Sequence, residues 1–180
     1  MCQSSDHRAD RRRLLATLSS AAMLAGMGLA PRAARAAAAP VDLPPPGPRD
    51  TCPVCGMFVA KYPEWIATVL WDDGEAVHFD GAKDFFKYLD DLEKYAPGRS
   101  RDQIAGMGVT EYYDLRLVDA QNALYAIGSD VLGPMGHELV PLVNEEDATD
   151  YMRDHRGIRL VGFEDVTGAM LTGLDAGRFE

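Results

Sequence analysis

The chain has 180 residues and carries 28 acidic against 18 basic side chains, a formal net charge of −10. Such a balance repels nucleic-acid phosphates and anionic lipid, whose binding rests on Lys and Arg, so a nucleic-acid role is excluded. Three cysteines cannot make a disulfide framework, and the length suits one ordinary domain once any targeting segment is set aside.

The first segment reads as an export signal. Arg8, Arg11, Arg12 and Arg13 precede an apolar run over 14–30, and Ala34, Arg35 and Ala36 fit the small-x-small pattern of a cleavage site. The run is short for a membrane span and has no polar face, so residues 1–38 are expected to be removed. The DRRRLL around Arg11 and Arg12 looks like a twin-arginine signal. Residues 1–38 hold six basic and two acidic groups, which leaves twelve basic and twenty-six acidic and a mature net charge of −14. Cys2 and His7 go with the signal. No cysteine ends the apolar run, so no lipid anchor is predicted, and a soluble periplasmic product is expected.

Residues 39–49, with VDLPPPGP at their centre, predict a stiff extended linker, because proline lacks the amide donor and restricts its neighbour. Residues 50–180 form the expected domain. Apolar and β-branched residues over 66–71, the turn Asp72-Asp73-Gly74 and a return over 75–79 predict a hairpin. A helix over 82–95 follows, with Asp80 as N-cap, Phe85, Phe86, Leu89 and Leu92 on one face, and Pro97-Gly98 as the stop. Segments 112–118 and 123–128 predict a second hairpin about 119–122. A strand over 139–143, a helix over 145–155 capped by Asn144, and a strand over 157–161 complete the pattern. Strand, strand, helix thus occurs twice, which predicts an α+β fold of two related units side by side. The tail from Phe163 carries no signal.

Chemistry concentrates in CPVCGM, where Cys52, Cys55 and Met57 put two thiols and a thioether within six residues. Soft sulfur donors favour Cu(I), and Met57 shifts the reading away from zinc, which seldom takes Met. C-x-x-C by itself also admits a redox dithiol, half a zinc site or an inert disulfide. A structural zinc site needs a second ligand pair that the chain lacks. A thioredoxin-like motif should follow a strand and open a helix, whereas this one follows the prolines. Met135, framed by Pro134 and Gly136, reads alone as a gap filler and beside CPVCGM as a further sulfur donor. His155 suits a helix C-terminus. His137, two residues from Met135, has a better ligand context than the strand residue His78. Ser129, Asp130 and His137 make no hydrolase, since no G-x-S-x-G is present.

CPVCGMFVAKYP, WDDGEAVHFDGAKDFF, YYDLRLVDAQNALYAIGSDVLGPMGHELVPL and GIRLVGFEDV resemble, in order and spacing, the NosL family of nitrous oxide reductase accessory proteins. The resemblance implies a fold of two ββαβ-type units and a periplasmic Cu(I) chaperone, not an enzyme, that serves the copper-sulfide centre of nitrous oxide reductase. It implies Cys52, Cys55, Met57 and Met135 as metal ligands, with His137 preferred over His78. Its implied partners are apo nitrous oxide reductase and a membrane transporter complex with a periplasmic subunit. Many members are lipoproteins, and the chain departs from them in lacking a lipidation cysteine after the signal. Two other readings stand beside this one. A heavy-metal module of YHS or TRASH type starts almost identically but carries further cysteines where this chain has Asp80 and Ala82. A periplasmic dithiol oxidoreductase would need an exposed thiolate of lowered pKa.

Overall fold

The computed structural model describes residues 37–179. The expected export signal lies outside the described residues except for positions 37 and 38. The first sheet starts with β1 (Ala67–Trp71) and β2 (Ala76–Phe79), an antiparallel hairpin. Gly74 takes φ +87 in its turn, a conformation side-chain-bearing residues avoid. α1 (Ala82–Asp90) and α2 (Leu92–Tyr95) replace the single helix expected over 82–95. Asp91 breaks it: its backbone is non-helical at φ −133 and ψ 65, and its side chain accepts the Lys94 amide to cap α2. Asp competes for backbone amides in this way, which favours caps over helix interiors.

β3 (Ile104–Thr110) pairs with β1, and β4 (Leu117–Asp119) pairs with β3, giving the order β2-β1-β3-β4. The sequence IAGMGVT hides β3 because Gly106 and Gly108 weaken its strand pattern. Their role is close approach. A Cβ on Gly108 would lie 2.8 Å from Leu117 Cγ and 3.0 Å from Leu43 Cδ1. Leu43 belongs to the proline-rich stretch, which is extended and lies along the domain: Val41 donates to the Leu117 carbonyl and Ala39 accepts the Asp119 amide. Proline is tolerated there because the stretch runs along a sheet edge.

The second sheet holds β5 (Leu124–Ile127), β8 (Val140–Leu142) and β9 (Arg159–Gly162) in the order β8-β5-β9. A two-stranded ribbon, β6 (Leu132–Gly133) with β7 (Gly136–His137), is inserted between β5 and β8, and α3 (Glu145–Asp154) joins β8 to β9. The second hairpin expected about 119–122 is therefore absent. Its first arm belongs to β4 of one sheet and its second to β5 of the other. α4 (Gly168–Asp175), which the sequence pattern does not announce, ends the fold.

β1-β2-α1-β3 and β5-β8-α3-β9 share one topology, a central first strand flanked by the second and by the strand after the helix. The chain is thus α+β, built from two ββαβ units. α1 lies between them, and an aromatic chain joins the sheets through it: Phe79 to Phe85 at 5.8 Å and Phe86 to Tyr125 at 5.0 Å between ring centroids. β5 alternates, with Tyr125 and Ile127 in this core and Ala126 against Ala148 and Tyr151 of α3. Among the described residues no helix is long and apolar enough to cross a membrane.

Candidate metal centre

CPVCGM folds as a closed loop. Thr51 and Phe58 bridge its ends, the Cys52 amide donates to the Met57 carbonyl at 2.9 Å, and the Gly56 amide donates to the Cys52 carbonyl at 2.8 Å. Gly56 makes the turn at φ +79 with open space where a Cβ would lie, so it is needed for conformation and not for room. The loop brings both sulfurs to the start of α1, with Cys52 buried, Cys55 half-buried and neither in a disulfide.

Two carboxylates meet them there. Asp80 follows β2 directly and Asp84 lies in the first turn of α1, and both are buried. The Cys52 thiol donates to Asp84 Oδ2 at 3.4 Å and the Cys55 thiol to Asp80 Oδ1 at 3.1 Å. One potential ligand atom from each of the four residues lies within 4.8 Å of all the others. Asp80 Oδ2 is buried and has no hydrogen-bond partner among the described residues.

Burial pushes the Cys52 thiol up to about 12, and the charges of Asp84 and Asp80 add to it against backbone amides at Cys55 and Val54. Burial also raises Cys55, helped by hydrogen bonds to Asp80 and Asp84 and opposed by the Met57 amide. Both thiols therefore hold their protons at neutral pH. This is the reverse of the exposed, activated thiolate that disulfide exchange needs. A soft cation that takes the place of those protons on the sulfurs offsets part of the negative charge of two thiolates beside two carboxylates.

The other sequence-predicted residues take different positions. Met57 is half-buried, and its carbonyl closes the loop. His78 is buried in β2, with Nδ1 3.0 Å from Thr68 Oγ1, and burial lowers its pKa. Met135 stands at the turn of the ribbon, 46% exposed. His137 packs edge-on against Phe179 at 4.8 Å, and its Nδ1 is buried with no partner among the described residues. Neither histidine is in the tight four-residue group.

Asp80 and Asp84 are the residues that sequence reasoning missed. Asp80 was expected to cap α1, yet Gly81 is the residue that precedes that helix, and the Asp80 side chain accepts from the Cys55 thiol instead. The available signal was two acids four residues apart, directly before Phe85 and Phe86 on the face that must be buried.

The family model described as NosL matches residues 45–171. Over 130 residues the chain is 29% identical to the copper-binding lipoprotein NosL of Stutzerimonas stutzeri, a match that covers 68% of this chain and 64% of the relative's own length. Among solved structures, the copper chaperone NosL from Shewanella denitrificans is similar with a TM-score of 0.58 at 20% identity, over 72% of this chain and 98% of that one. At that identity the likeness concerns the fold.

Proposed function

Because the chain belongs to the NosL family, we propose that it is a periplasmic carrier of Cu(I), not an enzyme, that delivers copper for the copper-sulfide centre of nitrous oxide reductase. The observation that carries this reading is the convergence of the Cys52 and Cys55 thiols on one spot beside an Asp80 oxygen that has no hydrogen-bond partner among the described residues. Thiolates are the protein donors that select Cu(I) over harder ions. In this reading Asp80 and Asp84 take up the thiol hydrogen bonds while the site is empty. Met57, Met135 and His137 are the further donors, and His78, tied to Thr68, is the weakest candidate.

A carrier must also let go. Met135 is exposed on a two-stranded ribbon outside both main sheets, which suits a donor exchanged first with an incoming partner. The partners in this reading are apo nitrous oxide reductase and its membrane assembly complex. Deleting the gene at limiting copper tests the whole proposal. The expected phenotype is exported nitrous oxide reductase deficient in its copper-sulfide centre, and full copper loading without a redundant carrier would contradict it.

The two carboxylates favour one rival cargo. Two thiolates with two carboxylate oxygens are also a donor set that Zn(II) accepts in tetrahedral form. Direct competition between the ions separates the two readings.

A further inference from the structure

The ribbon bearing Met135 and His137 is tied to the start of α1 by two hydrogen bonds, both donated by Lys83. Glu138, which follows the ribbon and is 3% exposed, accepts the Lys83 amide of the first helical turn through Oε2 at 2.8 Å. Lys83, itself buried, returns its Nζ to the Met135 carbonyl at 3.0 Å and to Asp175 of α4 at 3.1 Å. Glu138 thereby does for α1 what a local N-cap normally does, from 55 residues away.

Two glycines clear the space. A Cβ on Gly81 would lie 2.6 Å from Glu138 Oε1, and one on Gly133 would lie 2.4 Å from Glu138 Cγ. Gly81 and Lys83 lie between the two carboxylates of the candidate centre, Asp80 and Asp84, in one stretch of five residues. A buried Lys and a buried Glu are a costly way to cap a helix, since both must be desolvated. The second unit shows the simpler solution, for Asn144 caps α3 with its own side chain.

We propose that Glu138 and Lys83 are positioning residues that hold the ribbon donors Met135 and His137 against the centre formed by Cys52 and Cys55, so that groups from both ββαβ units meet on one Cu(I) ion. The inference rests on the reading given above, in which a ribbon side chain joins the two thiolates.

The test uses the reduced, copper-loaded protein and five variants: Glu138→Ala, Glu138→Gln, Lys83→Met, Met135→Ala and His137→Ala. Each is read by copper X-ray absorption and by the rate of Cu(I) transfer to a chelator. Glu138→Ala and Lys83→Met are expected to give the ligand count of a ribbon-donor variant and to release copper about tenfold faster, the usual size of an outer-shell effect on a metal. Glu138→Gln keeps an oxygen acceptor for the Lys83 amide and restores both readouts.

If Met135→Ala or His137→Ala alters the copper spectrum while Glu138→Ala and Lys83→Met leave it unchanged, the positioning role is overturned and the ligand reading stands. If all four leave it unchanged, the ligand reading fails and the positioning role with it. Should the Glu138 variants not fold, the wild-type protein decides: copper loading must slow hydrogen exchange at the Lys83 amide, and an unchanged rate overturns the proposal.

Discussion

The two ββαβ units share one strand order and differ at the start of their helices. α3 is locally complete: the Asn144 side chain accepts the Asp147 amide at 2.9 Å, and Glu145, Glu146 and Asp147 face the positive end of the helix dipole. α1 has the same place in the topology and none of this self-sufficiency. Its neighbouring acids, Asp80 and Asp84, accept from thiols instead, and its cap arrives from Glu138. The duplicated scaffold thus keeps ordinary stability devices at the start of α3 and gives them up at the start of α1, where the two thiols meet the two carboxylates.

If this contrast is right, changes at the start of α1 disturb copper binding and changes at the start of α3 disturb stability alone. The largest effect is expected from Cys52→Ser or Cys55→Ser, which removes a donor from the centre and should abolish tight Cu(I) binding in a chelator competition while the apo fold remains. Gly81→Ala comes next. Its methyl group would meet the Glu138 carboxylate, so apo stability should fall by about 1–3 kcal/mol in urea unfolding. Copper uptake should weaken as well, because Asp80 and Asp84 flank the strained segment.

Glu138 gives the comparison a pH signature. Burial pushes its carboxyl up to about 8 from an ordinary value of 4.5, with the Lys83 amide and charge opposing. The folded chain keeps a proton that the unfolded chain gives up near 4.5, so between 4.5 and 8 the folded state binds more protons and this group makes stability fall as pH rises. The expected slope is up to about 1 kcal/mol per pH unit, and Glu138→Gln should flatten it in denaturant unfolding at pH 5, 6 and 7. The smallest effect belongs to α3. Asn144→Ala should cost about 1 kcal/mol of stability and leave Cu(I) affinity unchanged; a loss of affinity there would break the division of labour between the units.

Legibility followed the same division. Segments whose signals are local read correctly: the hairpin at Gly74, the α3 boundary at Asn144, the doubled strand-strand-helix order, and the close pair of thiols. β3 did not, because Gly106 and Gly108 serve contacts with Leu43 and Leu117 that sequence periodicity cannot express. The segment 119–122 reads locally as a hairpin turn, yet pairing partners chosen elsewhere send its two arms to different sheets. Asp80 has the local credentials of a cap, and a thiol 25 residues upstream overrides them. Asp84 looked like one solvated acid among 28. Burial turns such a residue into part of a site, and burial is a property of the whole fold.

The central claim is that Cys52 and Cys55, held against Asp80 and Asp84, form a Cu(I) site. Its most direct test is a competition titration of the reduced protein against a Cu(I) chelator and against Zn(II), repeated after Cys52 and Cys55 are oxidised to a disulfide. One Cu(I) per chain, bound more tightly than zinc and lost on oxidation, is the predicted result, since thiolates bind the ion and disulfide sulfur is a poor ligand. Zinc held at least as tightly as copper, or Cu(I) held undiminished by the oxidised protein, would contradict the account.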